Sequence, residues 1–406
     1  MAAFYPLPVT QDLPTLRTKL QGLLRFLRDA LSISNAHTVD FYTESVWERL
    51  VDLSPETVLA ALKPAARAEA EAEARFSEAR PLLGAEAGSG ITDFPRIFCE
   101  TSQRLVDVEA FALAAKCCSV QNLGICTSLE QLLAALRGNK KQRTGENLKP
   151  NEFMNMKKSH EVQAMSELIC SIADYYGIKQ DCLMVGLHTC GDLAPNTLRI
   201  FTSKPEIKGV CSVGCCYHLL SEEFEKEHKE CTEEKWGFPM CQYLKEEQWC
   251  CGHNARMSAC LALERVTLGQ GLSTESLFYR AVLQDIIKEY YGITKCSQHV
   301  GKIYSKCSSF LDYVRRSLKK LGLDETKLPE TTIMDYYEKY KPRMKELEAF
   351  NMLKVVLAPC VETLILLDRL CYLKEQDDVV WSALVKLFDP VKSPRCYAVI
   401  ALKKQQ

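Results

Sequence analysis

The feature that most constrains the fold of this chain is the stretch Cys182-Leu-Met-Val-Gly-Leu-His-Thr-Cys-Gly-Asp-Leu193. An apolar run that stops at His188, turns through Cys190-Gly191 and meets Asp192 ahead of a helical Leu193, Leu198, Ile200, Phe201 pattern predicts a buried parallel strand. Such a strand delivers its polar residues to its C-terminal end, where open α/β sheets place their chemistry. A second apolar run, Gly209-Val-Cys-Ser-Val-Gly-Cys-Cys-Tyr-His218, follows one short helix later and also ends in polar and aromatic groups. Two apolar runs joined by one helix require a right-handed crossover, so strands near 182–188 and 208–217 are expected to be parallel neighbours. His188, Asp192 and Cys215 at their tips are the candidate catalytic residues. The plainer alternative for Asp192 is that it caps the helix after it.

Around this core the pattern is mostly helical. Leucines recur at helical spacing from Leu13 to Leu31, an amphipathic helix is expected over about Val39 to Val51, and periodicity resumes from Phe94 to Cys118 and from Leu129 to Leu136. Residues 1–137 therefore read as an all-helical domain. The Ala/Glu/Arg-rich segment from Pro64 reads as a solvated helix running into glycines near 84–90, and 138–156 reads as a polar, basic linker. An α/β domain is expected over 157–406, with a helical insertion at about 255–346 containing helices over Arg256 to Val266, Leu277 to Tyr291, Phe310 to Leu321 and Ile333 to Tyr340. The aromatic and charged stretch between His218 and Asn254 suits a lid or substrate loop. Runs over Val379 to Phe388 and Cys396 to Leu402, joined by a short turn, predict an antiparallel hairpin at a sheet edge.

Charge narrows the partners. With 51 basic and 52 acidic residues the formal net charge is −1, so no overall field draws the chain to DNA or anionic lipid, and any RNA site is a local patch. Lys140-Lys141, Lys157-Lys158 and Arg315-Arg316 with Lys319-Lys320 are such patches, although solvated helix faces use the same runs. The apolar run Leu353 to Leu373 carries Lys354, Pro359, Glu362, Asp368 and Arg369, which predicts a buried helix and no membrane segment. Twenty cysteines without a secretory leader point to reduced thiols in the cytoplasm or nucleus. Cys211, Cys215, Cys216, His218, Cys250, Cys251 and His253 include no pair of zinc knuckles, so no metal site is expected among them.

Five segments carry a more specific signal: Lys-Lys-Ser-His-Glu (157–161), Gly-Leu-His-Thr-Cys-Gly-Asp-Leu (186–193), Ser-Val-Gly-Cys-Cys-Tyr (212–217), Leu-Ala-Pro-Cys-Val-Glu-Thr-Leu-Ile-Leu-Leu-Asp-Arg-Leu (357–370) and Ser-Pro-Arg (393–395). In this order they resemble the methyltransferase-like protein 25 family and its relatives described as ribosomal RNA adenine dimethylase domain-containing. The resemblance covers nearly the whole chain. It implies a Rossmann-like sheet, methyl transfer from S-adenosylmethionine, an RNA or protein acceptor, and His160, Glu161 and Gly191 as cofactor contacts.

One departure qualifies what the resemblance implies. Family members follow the helix ending Tyr-Gly-Ile-Lys-Gln with a strand, a glycine-rich turn and an acidic residue closing a second strand, whereas here Gln180 runs straight into Asp181 and Cys182. Those elements let backbone approach the cofactor and hold its ribose hydroxyls. Neither Gly88-Ser-Gly90 nor Gly269-Gln-Gly271 follows a strand, so neither replaces them. The expected fold is thus an incomplete Rossmann-like methyltransferase sheet with helical additions, in the manner of a splice variant that binds the cofactor weakly or not at all. The rival expectation is a non-catalytic interaction protein that keeps the family's helical surfaces.

Overall fold

The computed structural model describes residues 6–62, 96–138, 155–177, 182–225, 235–267, 273–294, 300 and 303–404. The expected helix and glycines over 64–90, nearly all of the 138–156 linker, the Gln180–Asp181 junction and Gly269–Gly271 lie outside these residues. Five strands form one sheet in the order β1-β4-β5-β3-β2. They are β1 (Cys126–Thr127), β2 (Cys182–Cys190), β3 (Ile207–Cys215), β4 (Val379–Lys386) and β5 (Tyr397–Lys403).

The two apolar runs pair in parallel from Cys182 opposite Ile207 to Cys190 opposite Cys215, joined by the helix Leu193–Ser203. β4 and β5 form the antiparallel hairpin, from Trp381 opposite Leu402 to Lys386 opposite Tyr397. Its expected position at a sheet edge is corrected: β5 lies between β4 and β3, pairing Gly209 to Val213 with Leu402 to Ala398. Burial explains why. Ala398, Val399, Ile400, Ala401 and Leu402 are all buried, so both faces of β5 need cover, as in a central strand. Among the described residues the sheet ends at β1 and at β2; β2, whose neighbour is β3 alone, is the edge strand with exposed residues.

Helices Leu129–Arg137 and Met156–Tyr176 cover one face of the sheet. Leu132, Leu136, Met165, Leu168 and Ile172 pack on Cys211, Val213, Ala383, Val385, Ala398 and Ile400. Each fully buried aliphatic side chain there contributes roughly 1.5–3 kcal/mol. The 156–176 helix starts where the Asn155 side chain accepts the Lys158 N–H, and it ends at Gly177, whose φ of 60° is left-handed. On the other face lies the helix Leu193–Ser203, and Arg369 of the long helix Met344–Lys374 reaches Gly214 of β3.

Several helical expectations are corrected. Cys126–Thr127 in the region read as all-helical pairs in parallel with Leu384 and Val385 of β4; a two-residue strand is too short to leave a period in the sequence. The expected Val39–Val51 helix is a 3-10 turn, Thr38–Asp40, then turns and a short helix, Val46–Leu50, separated by Ser45 at φ 47°. Within Phe94 to Cys118 the helix is confined to Val108–Cys117, because Phe98 and Leu105 bridge each other in extended conformation. The expected 256–266 helix divides into His253–Ser258 and Leu263–Thr267.

By contact density the chain forms two interleaved units rather than sequential ones: 1–31, 114–265 and 357–406, and 32–113 with 266–356. The first contains the sheet. The second is helical, with Thr274–Tyr291, Phe310–Leu321 and Glu330–Tyr340 meeting through rings of Tyr279, Phe310 and Tyr337. Tyr42 stacks on Tyr340 in the same unit with ring centroids 4.4 Å apart. Within Glu330–Lys374 one window is long and apolar enough to cross a membrane, and 78% of it is buried inside the protein.

Candidate functional site

The C-terminal ends of β2 and β3 bring several of the expected residues together. Pairing of β2 with β3 shifts between Gly186 and Thr189, and Thr189 turns inward: its hydroxyl donates to the Val213 carbonyl at 2.9 Å and meets Ser212 Oγ at 3.0 Å. His188 remains half exposed, with Nε2 3.4 Å from Glu161 Oε2. Glu161 is 2% exposed and accepts the Ser393 hydroxyl at 2.6 Å, with Lys157 Nζ at 3.5 Å. His160 Nε2 accepts the Asp389 N–H at 3.1 Å, its ring set edge-on to Phe388. A neutral His160 therefore carries its proton on Nδ1.

Cys215 meets Cys190 across the strand pair, Sγ to Sγ 3.0 Å. Burial first, then the neighbouring thiols, push the Cys215 thiol upward. Asp192 turns to a different partner. It makes no cap to the 193–203 helix; its Oδ1 accepts the Ser221 N–H at 2.8 Å. The same carboxylate fills the space beside Gly237, where a Cβ would stand 1.9 Å from Oδ1. The capping alternative is thereby replaced by a loop anchor.

Gly191 has φ +51°, and a Cβ there would lie 2.5 Å from the Leu219 carbonyl oxygen. Its N–H donates to the Cys215 carbonyl. The glycine thus makes room for the protein's own turn. His160, Glu161 and Gly191, the three positions expected against a cofactor, all contact protein groups. A ligand over the outer edge of β2 would face the exposed Cys182, Val185 and His188. Among the described residues, those at the ends of β2 and β3 build no cradle for an adenosyl group.

Sequence reasoning missed a buried polar layer. Glu222 is fully buried, accepts the Cys251 and Gly252 N–H groups at 2.8 Å each, and pairs with Arg256. Asp368 accepts the N–H of Met240 at 2.9 Å and of Cys241 at 2.8 Å. Burial pushes its carboxyl up to about 6 against those bonds. Glu362 accepts from the Tyr217 hydroxyl and from Arg395, both at 2.8 Å, and burial pushes it above the usual carboxylate range although Arg395 opposes the shift. The Arg369 guanidinium stands 5.8 Å from the Tyr217 ring, with a buried Nη2 that has no hydrogen-bond partner. Charges inside an otherwise apolar helix were the available signal, since buried ions need partners. The described part of the stretch expected as a lid is held by these carboxylates.

Of the seven cysteines and histidines weighed together for zinc, Cys215 and Cys216 come together, joined by Cys190. Cys211 instead packs on Met165, and Cys250 faces Glu222.

A family model described as a methyltransferase domain matches residues 147–223, the interval holding β2, β3 and the helices before and between them. The human protein named "Probable methyltransferase-like protein 25" is 56% identical over 606 residues, covering 100% of this chain and 100% of that relative. The mouse protein of the same name is 52% identical over 604 residues, covering 100% of this chain and 99% of the relative. The human alignment of 606 positions exceeds the 406 residues of this chain by 200, which the relative alone fills. No solved structure matches. The likeness runs the length of the chain and includes both strand ends, and the chain belongs to the methyltransferase-like protein 25 family.

Proposed function

We propose that the family reaction is methyl transfer from S-adenosylmethionine to an RNA or protein acceptor, and that this chain is a cofactor-poor form of the enzyme. The observation that carries the second part is β2: an apolar strand with a described neighbour on one side only. An apolar run of this kind suits cover on both sides, and the positions that only the human relative fills are a source of that cover. The proposed role of the strand ends is to position the acceptor. Methyl transfer needs alignment with the sulfonium methyl and few chemically special side chains, so Glu161, His188 and Asp192 act here by holding geometry.

Loss of several hydrogen-bond anchors with their apolar walls removes roughly 4 kcal/mol or more, on the order of a thousandfold in affinity. Calorimetric titration of S-adenosylmethionine into the 406-residue chain and, in parallel, into the full-length human relative tests the reading. Weak or absent binding by this chain beside clear binding by the relative is expected; equal affinities would overturn it. The same edge favours a second reading, a non-catalytic protein that binds the family's partners inside the cell, in cytoplasm or nucleus, away from membrane and DNA. Retained partner binding without methyl transfer distinguishes that role.

A further inference from the structure

Cys190 and Cys215 end adjacent parallel strands at directly paired positions, and Cys216 follows at φ 49°, a left-handed turn. The three sulfurs lie within 4.8 Å of one another, those of Cys190 and Cys215 3.0 Å apart, and all three residues are partly buried. Three thiolates around one tetrahedral ion with metal–sulfur bonds of about 2.3 Å stand roughly 3.8 Å apart, within the spread of this trio. A disulfide would use two of the sulfurs and leave the convergence of the third without a role. Cys260 is a further thiol nearby, with its sulfur 3.7 Å from His218 Nδ1.

We propose that Cys190, Cys215 and Cys216 bind one soft, zinc-class cation at the C-terminal end of the β2–β3 pair. The ligand set is all sulfur, which selects zinc-like ions over magnesium or calcium. A bound dication favours the thiolates and releases protons as they form. The backbone supplies the preorganisation: strand register fixes two ligands and the turn at Cys216 fixes the third. Nothing in this site depends on S-adenosylmethionine.

The test uses the full chain, reduced with a phosphine and loaded with cobalt(II) as the probe. One equivalent of cobalt should give thiolate-to-cobalt charge-transfer absorption with tetrahedral visible bands, and zinc should displace it. Cys190→Ser and Cys215→Ser should each abolish the spectrum. Cys216→Ser, placed in the turn rather than in a strand, should do the same in a chain whose circular dichroism is unchanged. Cys170→Ser, an exposed thiol elsewhere, should leave it intact. Absence of the charge-transfer band at stoichiometric cobalt in the folded, reduced chain overturns the proposal, as does a band that survives Cys190→Ser or Cys215→Ser.

Discussion

β2 and β3 are parallel neighbours of nine residues each, yet the seven interior residues of β3 are buried while β2 exposes Cys182, Val185 and His188. The difference lies in cover. β3 has a strand on either side, whereas β2 has β3 alone among the described residues, and its apolar content exceeds what an edge strand needs. Residue type alone does not reveal which apolar strand is central. The number of neighbours does.

The largest test of this contrast places a charge in each strand. Val213→Asp sets an unpaired carboxylate among Cys211, Ile400 and Met165 and should cost about 4 kcal/mol or more, whereas Val185→Asp should stay within about 0.5 kcal/mol. Urea unfolding followed by circular dichroism measures both, and equal losses would erase the distinction between the strands.

Asp368, on the helix that reaches the buried strand, sharpens the contrast through pH. Its folded carboxyl titrates near 6 against an ordinary 3.8, so the folded state binds the proton more tightly. This contribution to stability is full below about 4 and is lost as pH rises through 6, amounting to roughly 3 kcal/mol. Asp368→Asn keeps an oxygen to accept the Met240 and Cys241 N–H groups, so it should flatten that fall. Denaturation midpoints of the two chains at several pH values decide it, and parallel curves would remove Asp368 as the cause.

A smaller effect is expected at Thr189, the one buried residue of the exposed strand. Thr189→Val strips Ser212 of its hydroxyl partner and should cost about 1–2 kcal/mol. A loss no larger than at Val185 would show that the inward turn at the end of β2 contributes nothing. Smallest of all, Val185→Lys should leave stability within about 0.5 kcal/mol while lowering self-association through the open edge, read by sedimentation velocity.

Parallel pairing of β2 with β3 was legible because two apolar runs flank a single helix, and the hairpin because a short turn joins two runs. The place of the hairpin was not legible: burial on both faces of β5 emerges only once β3 has a second side to cover. β1 escaped notice because Cys126 and Thr127 are held by register with β4, not by any period of their own. At the site, the turn through Gly191 was foreseen, but its cause, the close approach of Leu219, is a contact distant in sequence. Asp192 illustrates the same limit, since a helix-start aspartate has the pattern of a cap whichever backbone N–H it accepts.

Asp368 and Glu222 together grip the backbone N–H groups of Met240, Cys241, Cys251 and Gly252. Deuterium should therefore enter these four amides as slowly as it enters the central strands, although their stretch has little repeating structure. A protease that seeks irregular chain would find backbone here with no freedom to bend into its cleft.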